Sequence, residues 1–243
     1  MTTVTLAKGG YLKLARGYGS VSRATGLAPW LDARRGRSRL AHWLRSLSAI
    51  HDLDELVRLD VPWWTYGAIE KVEAFLAERP GARVFEFGSG ASTVWLAKRA
   101  GSVRSVEHHA GWFERVEGFL AETNGLAPVE LMLVEPDAAN ADDPIYVSQK
   151  RGEAGHVFRS YASSIERTRE LYDLIVVDGR ARAACLRHAL DRLAPGGLVV
   201  FDNTGRRRYR DAIAASAVEA ERIRGLAPAL PYPDETTLLR QTR

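Results

Sequence analysis

After Gly81 the sequence changes its period. Short apolar runs at Arg83–Phe87, Val103–Glu107, Val129–Val134, Tyr172–Asp178 and Leu198–Asp202 are separated by stretches with helical spacing, one of them at about Arg182–Leu193. Strands that alternate with helices do not pair as hairpins. Each is followed by a crossover, which commits this part of the chain to a parallel sheet covered on both faces. The expected fold class is therefore α/β, a doubly wound and mostly parallel sheet. Thr236–Leu239, after Pro231 and Pro233, reads as an added edge strand. In such open sheets ligands bind beyond the carboxyl ends of the strands, where the strand order reverses. Function is to be sought at those ends.

The sequence before Gly81 is of another kind. A helical spacing runs from Ser38 to Leu59 through Leu40, Trp43, Leu44, Leu47, Ile50 and Leu53, until Pro62 interrupts it. A second helix is expected over Tyr66–Ala77, with Ile69, Val72, Phe75 and Leu76 on one face and Pro80-Gly81 ending it. The chain thus divides into a basic, mainly helical extension, residues 1–65, and an α/β unit, residues 66–243. Residues 1–51 carry nine basic groups, among them Lys8, Lys13, Arg16, Arg39 and Arg45, against Asp32 alone, a net +8. The whole chain is +4, so the remainder is −4. Such a segment reads as a solvated appendage or as a surface for an anionic partner (an acidic substrate, a membrane surface or RNA), while Gly9, Gly10, Gly17 and Gly19 disfavour the amphipathic helix of a transit peptide. One cysteine excludes a disulfide framework and a cysteine-rich zinc site. No apolar run approaches the roughly 18 residues of a membrane span. The first thirty residues lack a secretory apolar core. A cytoplasmic protein is the expectation.

Between Val134 and Tyr161 about 25 residues show no clean period, a length that in compact domains often marks a lid or binding loop. This long loop, residues 135–160, starts at a strand's carboxyl end. Tyr146, Phe158 and Tyr161 argue that part of it packs.

The strongest chemical signal is Val84-Phe85-Glu86-Phe87-Gly88-Ser89-Gly90-Ala91-Ser92-Thr93, a strand running into Gly-x-Gly with a helix beginning at about Ser92. Glycines let the backbone turn tightly and approach a ligand, and the free N–H groups of a helix start favour its polar part. Nineteen residues past Gly88, the second strand ends at Glu107, placed to accept hydrogen bonds from a ribose diol. A dinucleotide fingerprint would have Gly or Ala where Thr93 stands, and no acid just before the turn. Glu86 would repel a pyrophosphate and attract the ammonium of an amino acid, which favours a sulfonium-amino-acid nucleoside over NAD.

With these motifs the sequence resembles the class I, Rossmann-like S-adenosylmethionine-dependent methyltransferases. The resemblance covers roughly residues 66–205, through FEFGSGAS, SVEHH, YDLIVVDGR and LAPGGLVVFDN. It implies that Glu86, Phe87, Gly88, Ser89, Gly90, Ser92 and Thr93 hold the methionine end of S-adenosylmethionine. It also implies that Glu107 holds the ribose, that His108 lies near the adenine, and that Asp178 closes the fourth strand beside the methyl group. Pro195-Gly196-Gly197 is the turn expected before the fifth strand.

The fourth strand ends Val177-Asp178-Gly179-Arg180, without the Asp/Asn-Pro-Pro-Tyr/Phe motif of enzymes that methylate base amino groups. Cys185 sits on an apolar helix face rather than after a proline, as a cytosine C5 nucleophile would. Transfer to oxygen is the remaining chemistry, with a small molecule or glycan as acceptor, anionic if the basic residues recognise it, and nucleic acid disfavoured. Asp178, Asp202 and Asn203 stand at neighbouring strand ends, and three oxygen ligands there would suit Mg²⁺. This resembles the catechol-type metal-dependent O-methyltransferases, although their catalytic Lys, three residues after the first Asp, is here Ala181. Asp202-Asn203 also reads as a turn and helix cap. Candidate bases are Asp178, His109 and His156. Trp63-Trp64-Thr65-Tyr66 reads as packing or as a wall over the ligand. Arg206-Arg207-Arg208 with Arg210 reads as a solvated turn or a site for an acidic acceptor. An RNA methyltransferase using the basic segment and a catalytically silent cofactor-binding protein stay open as alternatives. Oligomeric state is not legible.

Overall fold

The computed structural model describes residues 17–50, 52–138, 143–150 and 152–242. Lys8, Lys13 and Arg16 of the basic segment lie outside them. The described chain opens helical over residues 17–24, and three short helices follow: α1 (Leu27–Asp32), α2 (Arg39–Ser46) and α3 (Leu53–Leu59). The helical spacing expected from Ser38 to Leu59 is thus two helices. Asp52 interrupts it, because its carboxylate accepts the Glu55 N–H at 3.1 Å and starts a new helix. The second helix ends at Asp60, in the left-handed region (φ 55°), before Pro62 is reached. Next comes α4 (Tyr66–Ala77), at the expected bounds.

The sheet is built from β1 (Arg83–Phe87), β2 (Ser102–Glu107), β3 (Val129–Leu133), β4 (Tyr172–Val177), β5 (Leu193–Asp202), β6 (Val218–Gly225) and β7 (Asp234–Gln241). Between them lie α5 (Ala91–Ala97), α6 (Ala110–Glu122), α7 (Arg159–Ala162), α8 (Arg182–Leu190) and α9 (Arg207–Ala214). The strand order is β3-β2-β1-β4-β5-β7-β6, with β1 to β5 parallel and β6 and β7 antiparallel. This is the Rossmann-like architecture expected. Two differences have local causes. Pro195-Gly196-Gly197 lies within β5, where the register to β4 slips between Tyr172 and Leu174 and Gly196 takes a φ of 73°. The C-terminal strand pairs on both sides, so the edge belongs to β6, whose VEAERIRG run presents mostly exposed charged residues. Charge on an edge strand discourages pairing with another chain.

Alternate residues of the central strands feed two cores. Val84, Val103, Leu174, Val176, Leu198 and Val200 join α3, α4 and α5 on one face. Phe85, Phe87, Ile175, Val177, Val199 and Phe201 join α7 and α8 on the other. The long segment after β3 belongs to that second core. Val134, Tyr146, Val157, Phe158 and Tyr161 are buried, and Val157 bridges to both Asp137 and Val147.

The strand order reverses between β1 and β4, whose register sets Phe87 opposite Val177. Beyond that pair the two turns touch. Gly88 has a φ of 97°, and a Cβ on it would lie 2.8 Å from the Gly179 Cα. A Cβ on Gly179 would in turn collide with the Tyr161 hydroxyl. Gly179→Ala is therefore expected to cost about 2 kcal/mol or more in chemical denaturation, since overpacked backbone contacts do not relax easily. In a Tyr161→Phe background the loss should be smaller, because the colliding oxygen is gone.

Candidate functional site

Glu86, on β1, is fully buried. Its Oε2 accepts from Thr93 Oγ1 at 2.5 Å and Ser105 Oγ at 2.7 Å, while Oε1 has no partner. Burial pushes its carboxyl up to about 7, against the hydrogen bonds of Ser92, Thr93 and Ser105. Thr93 is pinned twice, as its Oγ1 also accepts the Gly90 N–H at 2.9 Å. A Cβ on Gly90 would meet nothing nearer than Trp112 at 3.9 Å, so packing does not require glycine there. An orphaned carboxylate oxygen beside a turn free of side chains fits the ammonium end of an amino acid. Phe87 contributes only backbone here, since its ring is buried against Phe85 and Tyr161.

Glu107 ends β2 and is 3% exposed. Its Oε1 accepts the His108 and His109 N–H groups at 2.7 and 2.9 Å, and His108 Nδ1 stands 2.7 Å away. Although burial works the other way, these partners hold the carboxyl below its usual range. Oε2 accepts only Ser89 Oγ, at 3.2 Å, which is the weak bond that ribose hydroxyls would replace. Trp112 Nε1 donates to the Ser89 carbonyl at 2.8 Å and fixes the turn from outside. The His108 ring meets Phe158 and Tyr161 edge-on, so the segment after β3 lies beside the same end of the sheet. The Tyr161 hydroxyl there is buried without a partner.

At the ends of β4 and β5 the expected metal ligands hold a guanidinium instead. Arg182, at the start of α8, sets Nη2 2.7 Å from Asp178 Oδ1 and Nη1 3.8 Å from Asp202 Oδ2. It also donates to the carbonyls of Gly179, Asp178 and Asp202, at 3.1, 2.8 and 2.7 Å. Asn203 (φ 57°) turns its Nδ2 to Asp202 Oδ2 at 2.6 Å and Asp234 Oδ2 at 2.8 Å. Thr236 Oγ1 donates to the other Asp202 oxygen. A group whose amide donates to both neighbouring acids is a turn, not a ligand set. Among the described residues no three His, Cys, Asp or Glu are placed to hold a metal. The Mg²⁺ expected of Asp178, Asp202 and Asn203 does not fit these residues. Burial raises both carboxyls above the usual range, opposed at Asp178 by Arg182 and Arg180 and reinforced at Asp202 by Asp178.

The three candidate bases stand apart. Asp178 follows β4 with its side chain 20% exposed, beside the Gly88–Gly179 contact. His109 caps α6, its Nδ1 accepting the Trp112 N–H at 3.2 Å. His156 is 55% exposed and faces Glu153 at 3.2 Å. Cys185 is buried in the α8 core, its thiol pushed far up by burial. Trp64 is buried edge-on to Trp95 and lies near enough to Asp178 to act on its charge. Beyond Gly179 opens a cavity of about 370 Å³, between residues 144–150, the start of α8 and α9. Sequence reasoning missed Arg182 and Asp234. The only available signal was the pairing of an Arg four residues after a strand-ending Asp.

A model of the methyltransferase domain family matches residues 85–204. No curated protein matches the chain. Among solved structures, the chain is similar to the O-methyltransferase TomG of Streptomyces achromogenes, solved in complex with SAM. The two share 22% identity over 83% of this chain and 90% of that one, with a TM-score of 0.51. It is also similar to an rRNA methylase from Streptococcus thermophilus, at 17% identity over 72% of this chain and 96% of that one, TM-score 0.51. At these identities the likeness is one of fold.

The raised Glu86 carboxyl links stability to pH. Between its ordinary 4.5 and about 7 the folded chain holds a proton that the unfolded chain has lost. The stability it lends is full below 4.5 and falls as pH rises through 7. Glu86→Gln removes that loss. Without ligand, the variant should gain on the order of 3 kcal/mol over the parent between pH 4 and pH 8, read by urea denaturation at both.

Proposed function

We propose that the chain is a class I S-adenosylmethionine-dependent methyltransferase, a reading supported by the methyltransferase-domain match and the sheet order, and that the acceptor of its methyl group is a hydroxyl oxygen of a small molecule or glycan. Asp178 is the observation that carries this reading. It lies at the strand reversal, its carboxyl raised by burial, beside the Gly88 turn and one residue before Gly179, whose backbone lines the cavity. A hydroxyl must give up its proton as it is methylated, and a carboxylate lifted toward neutral pH is a better base than an exposed one. His109 is spent on a helix cap and His156 lies out on the segment after β3. The missing Pro-Pro motif and the buried thiol of Cys185 speak against base-amino and cytosine C5 transfer.

The bound cofactor supplies a methyl group on positively charged sulfur. The protein's part is to hold and orient. In this reading Glu86 Oε1 receives the amino-acid ammonium, while Ser89, Gly90, Ser92 and Thr93 shape the turn around it. Glu107 Oε2 takes the ribose hydroxyls and His108 lies toward the base. Arg182 fixes the Asp178 carboxylate, so that one oxygen stays turned to the acceptor. Residues 66–243 carry the reaction, and the extension before them contributes Ala49, Leu53, Leu56, Leu59 and Trp64 to the core. No helix of the described residues is long and apolar enough to cross a membrane.

An acceptor screen with methyl-labelled cofactor, followed by mass spectrometry of the product, tests the reading; a methyl group on nitrogen or carbon would overturn it. Asp178→Asn should lower turnover about a hundredfold or more while cofactor affinity changes little. Glu107→Ala should do the reverse, weakening cofactor binding by roughly 1–3 kcal/mol in calorimetry. Because Arg182 holds the place of a cation, turnover should persist in excess chelator; its abolition and rescue by Mg²⁺ would show a metal role.

A further inference from the structure

The cavity beyond Gly179 is lined by Lys150, Arg180, Arg182, Arg206 and Arg208, and no carboxylate of the described residues lines it. Its volume of about 370 Å³ is that of a small-molecule site. Arg182 is fully engaged with Asp178, Asp202 and three carbonyls. The other arginines are not. Arg180 keeps a buried Nε without an acceptor. Among the described residues Arg208 donates to Gln149 Oε1 and the Tyr209 hydroxyl, at 3.1 and 3.2 Å, and Arg206 lies over the Tyr209 ring. None of Arg180, Arg206 and Arg208 makes an ion pair among the described residues.

We propose that Arg180, Arg206 and Arg208 bind an oxyanion, a phosphate or carboxylate group carried by the methyl acceptor itself. The proposal rests on reading this cavity as the acceptor site, and it adds the acceptor's chemical class. Three guanidiniums line one cavity with no acid of the described residues beside them, and their planar forks match oxyanion geometry. Tyr209, on the same wall, reports the resulting potential. Although burial works against it, Arg182, Arg208 and Arg206 draw its phenol below the ordinary value. The geometry also joins the anion site to the chemistry. Arg180 follows Gly179, whose backbone touches Gly88, so an anion held there leaves the rest of the acceptor toward Asp178 and the cofactor turn.

Equilibrium dialysis of the full chain against labelled inorganic pyrophosphate and against citrate tests this without turnover. Arg180→Gln and the double variant Arg206→Ala/Arg208→Ala should each weaken binding of the preferred probe about tenfold or more. Arg207→Ala is the control. Its side chain is 95% exposed, pairs with Asp211 and does not line the cavity, so it removes the same charge elsewhere. It should leave binding unchanged. Cofactor affinity, measured on every variant, should stay at the parent value and shows that each is folded. Pyrophosphate preferred over citrate assigns a phosphorylated acceptor, and the reverse a carboxylated one. The proposal is overturned if neither probe binds at millimolar concentration, or if Arg207→Ala weakens binding as much as the cavity variants, which would mark a basic surface only. A product methylated on nitrogen or carbon would instead overturn hydroxyl transfer and leave the anion site standing.

Discussion

Arg182 is the residue on which the working edge of the sheet depends. Two parallel strands lead there into Asp178, mostly covered, and Asp202, fully buried, and two adjacent carboxylates shielded from water repel. The Arg182 side chain, 8% exposed, lies between them and spends its other hydrogens on the backbone carbonyls of both strand ends. Removing such a partner leaves uncompensated buried charge, which is why a buried pair resists loss of either side even where it adds little net stability. The same contact sets the direction of the Asp178 carboxylate and fixes where α8 leaves the sheet. A divalent cation at this place would have asked for oxygen donors free on one side. The guanidinium supplies positive charge and leaves only the outer face of Asp178 available.

The other end of the site carries the opposite imbalance. Glu86 is buried with one oxygen unsatisfied and its carboxyl raised to about 7, a state that costs folding free energy at neutral pH. Glu107, 21 residues later in the chain, is held ionised by backbone N–H groups and His108. The difference lies in what surrounds them. Glu86 has hydroxyl donors on one oxygen and nothing on the other, whereas Glu107 has a ring of amide donors and one weak bond to Ser89. Buried polar groups left incomplete in an otherwise well-paired interior are where a ligand completes the structure. In the proposed reading the first would take the charged ammonium and the second a neutral diol.

The parallel sheet was legible because strand and helix periods alternate over some 120 residues, and the Gly-x-Gly turn with Glu86 and Glu107 was legible because each sits where a strand must end. Two kinds of feature were not. β6 is an edge strand of mixed charge, and its pairing is decided by β7 rather than by its own apolar pattern. The metal reading failed because spacing places Asp178, Asp202 and Asn203 at one edge but does not say which way an amide turns, or that an arginine one helical turn later reaches back between the acids. Side-chain direction is a tertiary fact. The segment after β3 lay between these cases, since Tyr146, Phe158 and Tyr161 hinted at packing that only the second core explains.

The charge asymmetry of the chain also changes meaning once it is folded. The basic residues of the first fifty are the conspicuous ones in the sequence, yet several are answered locally. Arg45 lies between Asp32 and Glu55 at 3.1 and 2.7 Å, Arg39 pairs with Glu70, and Arg35 approaches Asp32 at 3.7 Å. Two acids from beyond residue 51, Glu55 and Glu70, thus answer part of the positive segment. Arginines without an acid among the described residues also lie around the cavity at the ends of β4 and β5, inside a part of the chain whose net charge is negative. Exposed charges are screened within about 10 Å of salt solution, but guanidiniums gathered in a concave site act together on whatever enters it. Net charge by segment does not locate such a site. The field that matters is set by which arginines the fold leaves without acids.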